Sequence, residues 1–189
     1  MLSNFQSEVA NRIVKYLPIE GQLSMHFYDN GFNCARAQQR ILDHSLQTNY
    51  NAISGSTEKQ FVLFTLPKDK NHMFIMFCNG DNRLLAKDLA NLQMYSEAKE
   101  QISSGHSIEA DNWYIKQFGW SDYLIAPVDF SGHALPDVLE IQERKVQVNL
   151  IFPISSKEKA LKDEKGTEEL LEQFMLQNRD ISNVTGLMH

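Results

Sequence analysis

Apolar residues recur along this chain in two rhythms. Phe5, Val9, Ile13 and Tyr16/Leu17 repeat at helical spacing. Ser3 and Gln6 form a capping-box signature ahead of them, and Pro18 stops the run, so residues 4–17 are predicted to be an amphipathic helix. QLSMHFY at 22–28 predicts a strand, and Asp29-Asn30-Gly31 a turn. FVLFTL at 61–66 and MFIMFC at 73–78 are continuous apolar runs separated by PKDKNH, the mark of two buried strands in a hairpin. Asn79-Gly80-Asp81-Asn82 ends the second run and offers helix caps. Leu85, Leu89, Leu92 and Tyr95 then return to helical spacing and predict a helix over 83–101, closed by Ser103-Ser104-Gly105.

The second half repeats the alternation. YLIAPV at 123–128 reads as a strand, and two more follow at 138–141 and 145–154. In the last, Val146, Val148, Leu150 and Phe152 alternate with Gln147 and Asn149, so one face is buried. Ser155 and Glu158 open another helix with a capping box. Gly166 interrupts it, and TEELLEQF restarts at once. A left-handed Gly166 ends the first helix without a Cβ penalty, Thr167 is the expected N-cap of the second, and Leu170, Leu171 and Phe174 bury one side. Residues 33–60 are polar and carry no clear period, NAISGSTEK at 51–59 reads as loop, and fraying is expected after 178. Strands come in clusters rather than in strict βαβα alternation. The expectation is one α+β domain over residues 1–189, with helices packed on a single mixed or antiparallel sheet.

Composition narrows the function. Apolar residues make up 42% of the 189, enough for a sizeable core. Eighteen Lys and Arg against 24 Asp and Glu give a net charge of −6, with no basic run, which argues against nucleic acid. The first residues lack the basic-then-apolar order of a secretory signal, and no 18-residue apolar run offers a membrane span, so a cytoplasmic protein is expected. Cys34 and Cys78 stand alone and are expected to be reduced; Cys78 ends an apolar strand, while Cys34 follows a turn and is the more open to solvent.

Catalytic grammar is sparse. There is no GxSxG elbow, no HExxH, no Cys pair and no glycine-rich phosphate loop, so no metal or cofactor is expected. "SGH" occurs twice, at 104–106 and 131–133, and an enzyme with a cryptic site, such as a hydrolase using His106 or His133, is an alternative. Trp113, Tyr114, Phe118, Trp120, Tyr123 and Phe130 fall within 18 residues, interleaved with polar ones. Core packing accounts for such a run. A partly exposed patch would instead supply protein-binding anchors, Trp113 and Trp120 first, or line a pocket.

The ordered combination KVQVNLIFPI, SSKEKALKDEK, Gly166 and TEELLEQF resembles the suppressor-of-fused family. Upstream, LLAKDLANLQMYSEAKEQ followed by SSGHSI resembles that family's central helix and the turn after it, and WSDYLIAPVDF takes the place of its next strand. The match is strongest over 83–177. The resemblance implies a mixed α/β domain that binds proteins without catalysis. Eukaryotic members take up a peptide as an added strand, and stand-alone bacterial members of this size look like immunity proteins that neutralise a cognate toxin. It also implies binding roles for Tyr95, which falls where those members carry a Tyr near the peptide groove, and for His106, where they carry an acid. An acidic protein of this kind suits a basic toxin domain as partner. A self-pairing scaffold, joined through an exposed sheet edge, is the other alternative.

Overall fold

The computed structural model describes residues 1–39, 60–79, 83–99 and 102–186. The expected loop at 51–59, the capping residues 80–82 and the last two residues of the expected helix 83–101 lie outside them. Thirteen residues, Asn4–Tyr16, form α1, with the Ser3–Gln6 capping box closed in both directions. Strands β1 (Ile19–Phe27), β2 (Asn33–Gln39), β3 (Gln60–Leu66) and β4 (His72–Asn79) follow as an antiparallel meander. Then come α2 (Arg83–Ala98), β5 (Ser107–Glu109), a single helical turn α3 (Trp113–Lys116), β6 (Trp120–Pro127), β7 (Val138–Ile141) and β8 (Arg144–Ser155). Helices α4 (Ser156–Lys165) and α5 (Thr167–Leu176) complete the described elements.

Among the described residues one mixed sheet runs β1-β2-β3-β4-β8-β6-β5, with β7 paired to the first part of β8. Among the described strands only β4 and β8 pair in parallel. This is the expected α+β architecture, a sheet with helices packed on it. The continuous apolar runs have a physical reason: both faces of β3 and β4 are covered. Val62, Phe64, Leu66, Met73, Ile75 and Phe77 point into one core with α1 and α5, while Phe61, Leu63, Phe74, Met76 and Cys78 point into a second core under α2.

Several expectations shift. β2 falls in the stretch that showed no pattern. Its small alternating Ala35 and Ala37 pack on the first core and Cys34 on the second, so Cys34 is buried rather than open to solvent. Burial raises its thiol pKa. β5 is only three residues long, too short to leave a period. The expected strand 123–128 begins earlier, at Trp120, and its last residue enters a 3-10 turn.

The described part of the tail packs on the domain. Val184 is buried, its N–H donates to Asn79 Oδ1 at 2.8 Å, and its carbonyl accepts from Trp120 Nε1 at 2.9 Å. Arg179 pairs with Glu158 at 2.7 Å and lies over the rings of Trp120, Phe152 and Phe174. These contacts tie the tail to α4, β6, β8 and α5.

At the helix corner, Gly166 takes φ +95° with ψ 167°, a backbone essentially restricted to glycine. Its N–H closes α4 on Lys162 O. Gly166 is itself the cap of α5, without a side-chain bond, so Thr167 is not the N-cap. The Thr167 hydroxyl instead donates to Gly105 O at 3.3 Å, fastening the corner to the turn that carries His106.

Candidate functional site

A cleft of about 700 Å³ opens on the second face of the sheet. One wall is α2, contributing Asp88, Leu92, Met94 and Tyr95. The other is residues 102–111, with Ile102, His106, Ile108, Glu109 and Asp111. Tyr123 of β6 and Ile151 of β8 form the floor. The cleft exists because β5 ends the strand order beside α2, and three residues of strand cannot fill the space under a sixteen-residue helix.

Local sequence fixes each wall. Leu85, Ala86, Leu89 and Ala90 anchor the buried side of α2, which turns Met94 and Tyr95 outward at 37% and 45% exposure. Below them Gln93 takes Thr65 and the His72 carbonyl as partners, and the Ser96 hydroxyl lies 2.8 Å from His72 Nε2. Burial lowers the His72 pKa. The Ser96 hydroxyl also accepts Ile102 N–H at 3.0 Å, so the end of α2 holds the start of the opposite wall. That wall is then pinned to β6, where Gly105 N–H donates to Ile125 O and Ile125 N–H to His106 O, both at 2.9 Å. His106 Nδ1 accepts Ser103 N–H at 3.2 Å, which leaves Nε2 as the ring's donor.

The acidic group of the α2 wall is Asp88, a half-buried residue. The Tyr123 hydroxyl donates to its Oδ2 at 2.7 Å, and the Asn112 side chain supplies a second bond. Burial raises the Asp88 carboxyl above the usual carboxylate range, against those two bonds. The same burial, with the Asp88 charge, raises Tyr123. Asn112 also accepts Tyr114 N–H at 2.8 Å and so caps α3. One buried amide therefore joins the α2 wall to the aromatic segment.

The four sequence-predicted site residues separate in space. Tyr95 and His106 face each other across the cleft. Trp113 stands outside its lining at 65% exposure, edge-on to Tyr114 at 6.0 Å. Trp120 is 4% exposed and spends its indole N–H on Val184 O, so it packs the core and presents no anchor. The two SGH turns also part company. His133 stacks on Phe77 at 4.1 Å on the opposite face of the sheet from the cleft, beside a cavity of about 30 Å³ lined also by Arg179. His106 and His133 therefore cannot serve one hydrolytic site. Among the described residues no three His, Cys, Asp or Glu side chains are grouped to hold a metal ion.

Comparison with solved structures finds the same fold. A suppressor-of-fused homologue from Neisseria gonorrhoeae superposes with a TM-score of 0.67 at 12% identity, over 97% of this chain and 93% of its own. The fold is suppressor-of-fused-like. Sufu in its complex with Fu matches at a TM-score of 0.49 and 13% identity, over 90% of this chain and 77% of that one. Drosophila Suppressor of Fused matches at 0.47 and 11%, over 92% and 43%. No family model and no curated protein sequence matches the chain. Among the described residues no helix is long and apolar enough to cross a membrane.

Asp88, Ile108, Glu109 and Asp111 were not singled out, because only the packing of β5 beside α2 brings them together. One signal was present. Asp88 sits three residues after Leu85 and four before Leu92, an acid set into an apolar helical stripe.

Proposed function

We propose that this chain is a non-catalytic protein-binding domain whose contact surface is the cleft between α2 and β5. The observation that carries the reading is the cleft itself: an apolar floor, two half-exposed apolar side chains in Met94 and Tyr95, and a neighbouring strand at the end of the sheet order. Such a surface offers side-chain pockets beside backbone groups, which is what recognition of an extended segment needs. His106 and His133 lie on opposite faces of the sheet, so a hydrolase would have to use one of them alone. The suppressor-of-fused resemblance points the same way.

The finer reading is an immunity protein in the cytoplasm that occludes a toxin. The net charge of −6 favours a basic toxin through complementary fields that speed association. Co-expression with a candidate toxin from a neighbouring gene tests it: cells are expected to survive with the wild-type chain and to die with a chain carrying Tyr95→Arg and Met94→Glu. Equal killing with and without the wild-type chain would remove the immunity reading for that toxin. A scaffold reading is favoured by one feature, the edge strand β1 with its exposed Phe27. A strictly monomeric mass by light scattering across concentrations would remove it.

A further inference from the structure

The charges around the cleft go further than its shape. Three carboxylates line it, those of Asp88, Glu109 and Asp111, and no Lys or Arg is among its described lining residues. Its one titratable base is His106, whose Nδ1 already accepts a backbone N–H. Nearby cations balance this incompletely. Lys116 lies 3.8 Å from Glu109 in an exposed pair that solvent screens, the exposed Lys87 acts on Asp88 only through its charge, and Lys99 rests over the Tyr95 ring at 5.4 Å. Asp88 receives its hydrogen bonds from two neutral groups, Tyr123 and Asn112. A half-buried carboxylate in the wall of such a cleft, bonded to neutral donors, focuses a negative field toward the opening.

We propose that the cleft selects a cationic, apolar segment of a protein partner: an extended stretch that sets an Arg or Lys side chain toward Asp88, Glu109 and Asp111, and an apolar side chain against Leu92, Met94 and Tyr95. This rests on the reading that the cleft is the contact surface, and it names the occupant. Arg fits best, because its planar fork pairs with a carboxylate through two bonds and its face stacks on an aromatic ring. Tyr95 already shows that preference, since the ammonium of Lys99 lies over its ring. The lining also discriminates against an acidic segment, which would meet three like charges in a site with low-dielectric walls.

The test uses the whole chain and two blocked heptapeptides that alternate leucine with either arginine or its neutral isostere citrulline. Binding is followed by amide chemical-shift titration. The arginine peptide is expected to bind at least about ten-fold tighter, a difference of about 1.4 kcal/mol. Its shifts should be confined to residues 85–96 and 102–111, and the advantage should shrink as salt rises from about 50 to about 500 mM. The double variant Glu109→Gln with Asp111→Asn, both at exposed positions, is expected to reduce the advantage. Adding Asp88→Asn is expected to abolish it. Equal affinity of the two peptides for the cleft overturns the selection of charge and leaves the cleft as the contact surface. Shifts that map away from the cleft overturn both readings. Absence of binding by either peptide at millimolar concentration overturns the proposed occupant.

Discussion

The two faces of the sheet are built from the same strands and end in different states. On the first face α1, α5 and the segment after β6 close over β3, β4 and β8, and their side chains interlock: Phe130 stacks on Phe152 at 5.9 Å, and Phe174 meets Phe152 edge-on at 6.1 Å. On the second face α2 covers β3 and β4 in the same manner, yet the cover fails where the sheet runs out at β5. The SGH turns show the difference in miniature. One carries His133 into an aromatic stack, and the other leaves His106 exposed on a cleft wall. The proposed binding surface is a place where the core is left open, with no separate element added to make it.

The largest expected effect lies on the closed face. Phe152→Ala removes a fully buried ring at the meeting point of β8, α5 and Arg179. It is expected to cost about 3–5 kcal/mol in denaturant unfolding. A loss below about 1 kcal/mol would show that this face is not tightly packed.

A pH effect comes next. Burial pushes His133 down to about 4, below its unfolded value near 6.5. A depressed folded value means that the contribution is fully present above about 6.5 and is lost as pH falls toward about 4, by up to about 3 kcal/mol at the lower end. His72 adds loss in the same direction. Thermal melts of wild type and His133→Leu at pH 7 and pH 5 should show the wild type losing more stability on acidification. Identical pH dependence would place His133 in contact with water and break the contrast between the two turns.

The smallest effect on stability, and the most telling for function, belongs to the open face. Tyr95→Ala trims a half-exposed ring and is expected to change stability by no more than about 0.5 kcal/mol. It should nonetheless weaken capture of the partner by about 2 kcal/mol, the scale of an interface anchor. A large loss of stability with partner affinity unchanged would recast Tyr95 as core.

What the sequence made legible follows from the same contrast. The closed face was written in local terms: capping boxes at Ser3 and Ser155, continuous runs in β3 and β4, alternation in β8, and a glycine at the α4–α5 corner. Each records a requirement met within a few residues. β2 was not legible, because its buried positions are filled by Ala35, Ala37 and Cys34, which are small or weakly patterned, and because Arg36 lies over Phe61. The cleft was half legible. Tyr95 and His106 came from the resemblance, whereas Asp88, Glu109 and Asp111 acquire meaning only once β5 is laid against β6. Trp120 misled for a related reason. An aromatic run does not reveal which ring a tail will later cover, and Val184 covers this one from 64 residues away.

The most direct measurement compares the two faces in one experiment. A photo-crosslinking amino acid is placed at Tyr95, on the open face, and separately at Leu176, an exposed apolar residue at the end of α5. Each chain is irradiated in its native cells. A discrete protein adduct is expected from position 95 and none from position 176. An adduct from position 176 with none from position 95 would contradict the placement of the contact surface in the cleft between α2 and β5.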